Sequence, residues 1–338
     1  MHFELELRKR HAALFVGSIA VLVALAATPQ LLGDRVADGI DGLAEARAGW
    51  IWLAAAAFAG SLVASACGWA LALTRCGGTT TRPDAVARYC TGSLVNALAP
   101  ARIGTAVRFA LFSRTLPSEG RLWTVGGIAT SLSAVRALWL ALVLALASAS
   151  GVLPRWPIAL LLLGAVVAGV VAWVARDYRP SKRFAHALDA FHVLGACPKA
   201  AAQLIGWVGL AMALRLTAAT AIVAAFGIDN PLAAALVIVP ALDLAGILPL
   251  TPGNVGVSSA AVAFALSAHG AASDVAVSAG IAFGAVETLT TLALGTASLL
   301  YFAGGRTEAR RWRTAAVTVT GCLALGVAFG ATVIFPLV

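Results

Sequence analysis

The sequence predicts an all-α polytopic membrane protein with about seven full transmembrane helices and two re-entrant broken hairpins, arranged as an inverted-topology repeat. Three observations predict this class. Of 338 residues, 60% are hydrophobic and only 12% charged, against about 25% charged in an ordinary soluble domain. The apolar residues fall in runs of about 18 to 28, each long enough to cross a bilayer, separated by short charged loops. Finally, a Pro/Gly-rich break interrupts the apolar pattern once in each half of the chain.

Soluble, disordered, collagen-like and coiled-coil classes are excluded by the same pattern. The net charge is +9, yet the basic residues sit at the ends of apolar runs, where topology and anionic headgroups account for them without nucleic acid. The five cysteines lack Cys-x-x-Cys spacing, so they suggest neither a disulfide framework nor a zinc site.

The first span, residues 12–32, follows the basic cluster Arg8, Lys9, Arg10 and His11. It holds the small-residue string Ala24-Leu25-Ala26, of signal-peptidase type; cleaved or retained, the acidic loop from Asp34 to Arg47 lies outside and the N-terminus is cytoplasmic. Residues 50–74 span inward, with Trp50 and Trp52 as an interfacial anchor. Residues 85–114 are broken by the stretch from Asn96 to Gly104, which contains Pro100 and leaves two arms of about 12 residues, too short to cross singly. Arg102, Arg108, Arg114 and Arg121 hold this hairpin to the cytoplasmic side.

Residues 122–150 then span outward and 157–175 return, ahead of the basic loop at 176–199. Residues 201–226 span outward again. The segment 231–268 is broken by Pro249 to Gly256, leaving a short second arm at 257–268 that enters from outside. Residues 273–302 return inward and 315–335 make a last outward span, which places Val338 outside. Pro100 and Pro252, like Gly104 and Gly256, are 152 residues apart. A single membrane domain, 1–338, thus contains inverted repeats at about 12–150 and 157–302 with an extra span at 315–335.

Four charges lie deep inside apolar runs: Arg136, Arg215, Asp243 and Glu287. Such charges are costly unless paired or facing a wet cavity. Glu287 follows Arg136 by 151 residues, within one position of the repeat register, so these two are expected to approach each other. Arg215 and Asp243 are expected to compensate one another on neighbouring helices. At each break the following arm begins a half-helix, near Thr105 in the first and near Ser258 and Ser259 in the second, whose free N–H groups suit an anion. Arg102 and Arg108 add fixed charge beside the first break, in a form suited to phosphate. Gly280/Gly284 and Gly326/Gly330 read as close helix packing. Catalytic constellations such as His-Glu-x-x-His or Gly-x-Ser-x-Gly are missing, so no catalytic residue, metal or cofactor is expected.

The segment Asn96-Ala-Leu-Ala-Pro100-Ala-Arg102-Ile-Gly104-Thr-Ala-Val-Arg108 resembles the N-x3-P-x-R-x-G-x3-R motif of the flippase-like membrane domain of lysylphosphatidylglycerol synthases. Pro252-Gly253-Asn254-Val255-Gly256 resembles that family's P-G-x-x-G segment, and Arg136 falls at the Arg of its Glu-Arg-x-x-Asp pattern. The family's acids are replaced here by Thr105, Val135, Trp139 and Ser259, leaving Asp243 and Glu287 as possible substitutes. The resemblance implies translocation of a charged-headgroup phospholipid or polyprenyl-linked lipid between leaflets of the cell membrane, without covalent chemistry. With no soluble stretch longer than about 25 residues, a stand-alone member lacking that family's aminoacyl-transferase domain is expected. Two alternatives stay open: a small-solute secondary transporter, and an intramembrane polyprenyl-diphosphate phosphatase, whose Pro-Gly loop would match Pro252-Gly253 with Ser258 and Ser259. Asn96, Asn254 and the breaks Pro100, Gly104, Pro252, Gly253 and Gly256 complete the candidate site.

Overall fold

Two long apolar helices, α1 (Ala48–Arg75) and α5 (Pro198–Ala225), form the centre of the fold. Their contact is made through small residues: Ser61 donates its hydroxyl hydrogen to the Ala211 carbonyl at 3.1 Å, and Gly60 lies against Leu214. In lipid there is no hydrophobic drive between helices, so close van der Waals packing of such residues holds them together. The helices run antiparallel. The Arg47 N–H at the start of α1 bonds the Ala225 carbonyl at the end of α5, and Arg75 at the end of α1 reaches Cys197 just before α5.

The computed structural model describes residues 46–98, 103–117, 120–153, 159, 164, 189–190, 192–246 and 256–303. Within them, α2 (Arg82–Leu98), α3 (Ile103–Ser113) and α4 (Arg121–Ala149) follow α1. After α5 come α6 (Pro231–Ala245), α7 (Val257–Ala268) and α8 (Ser273–Ala303). Helices α1, α4, α5 and α8 are long and apolar enough to cross a membrane, and they match four of the expected spans. The spans expected at 12–32, 157–175 and 315–335 lie outside the described residues or almost entirely so, and so does the proposed Gly326/Gly330 contact.

The helices of the two halves correspond in length: 28 and 28 residues for α1 and α5, 17 and 15 for α2 and α6, 11 and 12 for α3 and α7, 29 and 31 for α4 and α8. Packing follows the same correspondence. α1 packs on α2 as α5 does on α6, α2 on α3 as α6 on α7, α3 on α4 as α7 on α8, and α2 on α8 as α6 on α4.

The first break is tighter than expected, because α2 continues through Asn96 and stops only at Leu98. The second arm after the other break matches its expected bounds, whereas α6 already ends at Ala245, with Gly246 closing it before Pro249. α2 and α3 cross closely enough that a Cβ on Gly104 would overlap the Gly92 carbonyl and the Asn96 backbone. Gly280 and Gly284 of α8 are held equally close to Ser259 of α7, the packing role expected of that Gly-x-x-x-Gly pair.

Two apolar clusters stabilise the arrangement. One joins α1, α5, α6, α7 and α8 around Phe58 and Phe283, whose rings meet edge to face at 5.0 Å; such a pair contributes about 0.5–1.5 kcal/mol beyond area burial. In the other, Trp69 of α1 stacks on Phe112 of α3 at 4.8 Å, seating the short helix against α1. Leu138, Leu146 and Phe264 point outward and are exposed, as lipid-facing side chains of spanning helices are.

Candidate functional site

Asp243, near the end of α6, is the acid around which the charges gather. Arg136 of α4 donates to it through both Nε, at 3.3 Å, and a terminal guanidinium nitrogen, giving a forked contact. Arg215 of α5 approaches the same carboxylate at 3.8 Å. The acid is 12% exposed, while Arg215 is 23% and Arg136 45% exposed. One half-buried carboxylate therefore serves two more accessible guanidinium groups.

The expected compensation of Arg215 by Asp243 is present. The bonded partner of Arg136, however, is Asp243 and not Glu287, which corrects the expectation from repeat register. The reason is packing: α4 lies against α6, bringing Arg136 to the acid at its end, whereas α4 has no comparable packing on α8 among the described residues. Glu287 remains near enough to act on Arg136 electrostatically, as does Tyr89 of α2.

Tyr89 connects this group to a third arginine. The Arg108 guanidinium of α3 lies 3.9 Å from the centre of the Tyr89 ring and donates to Ser93 Oγ at 2.9 Å. Tyr89 and Ser93 are four residues apart, so one face of α2 presents both. Among the described residues Arg108 Nε and Asn96 Oδ1 are buried without a hydrogen-bond partner. Tyr89 and Ser93 were not singled out from the sequence, although their spacing opposite an arginine-bearing arm was the available signal.

The remaining candidates divide. Thr105 is half-buried in the first turn of α3, and Ser258 is half-buried in the first turn of α7. Ser259 is a packing residue against Gly280 and Gly284. Gly256 precedes α7 with φ of 86°, a backbone state that favours glycine, and α7 has no side-chain cap. Arg102, Pro100, Pro252, Gly253 and Asn254 lie outside the described residues. Trp139, at the position of a family acid, donates its indole N–H to the Ile205 carbonyl at 3.0 Å, a bond between helices. Among the described residues no three His, Cys, Asp or Glu side chains gather to hold a metal. A separate cavity of about 410 Å³, bordered by Asp229, Asn230 and His269, opens at the far ends of α5 and α7 and is not lined by the clustered charges.

Membrane-crossing helices bearing interior charges define a polytopic helical integral membrane protein. The family model described as lysylphosphatidylglycerol synthase TM region matches residues 12–295, and the chain belongs to that family. It is accordingly a membrane protein linked to lipid handling. No curated protein matches the chain.

Proposed function

We propose that the protein moves lipids with a phosphate-bearing headgroup between the leaflets of the cell membrane without altering them covalently. The observation that carries this reading is the sharing of Asp243 by Arg136 and Arg215, which leaves one guanidinium charge without a full counter-ion among the described residues. A phosphodiester is the natural complement of such a group. Arg108, linked through Tyr89, offers an earlier contact on the cytoplasmic hairpin.

In this reading the two halves are inverted-topology repeats and α2–α3 and α6–α7 are re-entrant hairpins entering from opposite faces. The antiparallel α1 and α5, the matching helix lengths and the exchangeable packing pairs support it. Substrate sites in such folds lie between the repeats near mid-membrane. The N-terminus is cytoplasmic and the C-terminus external.

The experiment is transbilayer movement of acyl-labelled phosphatidylglycerol, or of a polyprenyl phosphate, in vesicles containing the purified chain. Movement faster than in protein-free vesicles is the expected result. Uptake of free phosphate or another water-soluble solute with no lipid movement would replace this reading with solute transport, and release of inorganic phosphate would replace it with phosphatase activity.

A further inference from the structure

Among the described residues Glu287 is the one acid in the middle of a spanning helix that the site described above leaves unused. It lies in the middle of α8, half-buried, and its carboxylate makes no hydrogen bond or ion pair among the described residues. Gly280 and Gly284 face α7, and Glu287 follows at the same helical spacing, so all three share one face of α8. Because Gly280 meets Ala263 and Gly284 meets only Ser259, the next turn of α8 brings Glu287 level with the uncapped start of α7.

Among the described residues the charges around it are few. α7 contributes serines and no titratable side chain, and α1 offers only Cys67 and, at its end, Arg75. On α2 are Arg82, Asp84, Arg88, Tyr89 and Cys90; α5 carries Lys199 and Arg215, and Arg136 acts from α4. Tyr89 shares with Glu287 an electrostatic reach to Arg136, whereas Asp84 is engaged by Tyr301 and Arg88 by the Leu111 carbonyl. Arg136, Arg215, Asp243 and ionised Glu287 together sum to zero charge. A phosphodiester arriving at the arginines would bring that group to one net negative charge, which is strongly disfavoured at membrane depth. A proton on Glu287 restores neutrality.

We propose that Glu287 is a proton-binding residue that competes with the lipid phosphate for the guanidinium left over at Asp243, so that one proton travels with each anionic headgroup. This rests on the lipid-transport reading above and adds its coupling. The proton enters from water on the loading side, resides on a Glu287 carboxylate oxygen while the phosphate holds the arginine, and leaves to water on the opposite side. The ionised carboxylate then balances the guanidinium charge again. Transport of a singly charged lipid is therefore electroneutral and driven by a pH gradient.

The test uses the full chain in vesicles with acyl-labelled phosphatidylglycerol, under an imposed pH gradient without a membrane potential and, separately, a potential without a pH gradient. The expected result is lipid asymmetry of up to about tenfold per pH unit from the gradient, by linkage of proton and lipid binding, and none from the potential. Glu287→Gln should remove the response to the gradient, and Glu287→Asp should retain it. Wild-type movement that ignores the gradient, or follows the potential, overturns the proposal while leaving lipid transport standing. No movement under any condition overturns both. Should Glu287→Gln fail to fold, the two wild-type arms decide.

Discussion

Asp243 on α6 binds Arg136 on α4 in a forked contact across 107 residues of sequence, while also lying 3.8 Å from Arg215 on α5. Three helices thus depend on one carboxylate. Asp243→Asn leaves two guanidinium groups facing a neutral amide, and breaking a buried pair costs about 3–5 kcal/mol. Exposure of Arg136 screens part of this, so a loss of about 1–3 kcal/mol is expected, read as a lowered midpoint of thermal unfolding in detergent. A double-mutant cycle between Arg136 and Asp243 should give a coupling energy larger than the cycle between Arg136 and Glu287. Equal couplings would contradict the pairing.

Gly104→Ala should separate α2 from α3. Its Cβ would overlap the Gly92 carbonyl and the Asn96 backbone, neither of which can rotate away. Such overpacking costs about 1–3 kcal/mol. Gly126→Ala, which meets nothing within 4 Å, is the control and should leave thermal stability unchanged or raise it. If both substitutions have the same effect, the close crossing is not present.

Arg108→Lys keeps the charge but loses the planar group that lies over Tyr89 and bonds Ser93. Lipid movement should fall by about tenfold, corresponding to about 1.4 kcal/mol of lost headgroup binding. Arg108→Glu should reduce it to the rate of protein-free vesicles. Unchanged movement in the lysine variant would show that charge alone suffices there.

Cys197 and Cys76 lie outside the spanning helices near the same end of the α1–α5 pair, and their environments shift them in opposite directions. N–H donation from Ala200 at the start of α5, together with the nearby Arg75 charge, holds the Cys197 thiol below its ordinary value, whereas burial pushes Cys76 up. A lowered thiol is more ionised at neutral pH, and the thiolate is the reacting form. Iodoacetamide should therefore label Cys197 before Cys76, with the difference narrowing as pH rises. Preferential labelling of Cys76, read by peptide mass spectrometry, would contradict this.

The distribution of basic residues predicts the loop around Ile40 outside and that around Ala190 inside. Single cysteines at these positions in a chain cleared of native cysteines should react with an impermeant reagent added externally at the first and not at the second. The reverse pattern overturns the orientation.

The long spans were legible without a structure because membrane crossing depends on the length and polarity of a contiguous run, and both are one-dimensional properties. The start of α7 followed from the Pro/Gly break before it, since backbone chemistry acts locally. Arg215 and Asp243 could be paired because the interior offered few charges and low-dielectric surroundings demand compensation. The partner of Arg136 could not be read in this way. Register made Glu287 its equivalent in the other half, but contact depends on which helices are neighbours and how each is rotated, and the packing of α4 on α6 decided for Asp243. Tyr89 and Ser93 entered for the same reason: the crossing of α2 and α3 at Gly92 and Gly104 lays Arg108 across that face of α2. Sequence by itself determined that this chain crosses a membrane and must balance charges inside it; tertiary packing alone decided which acid answers which base.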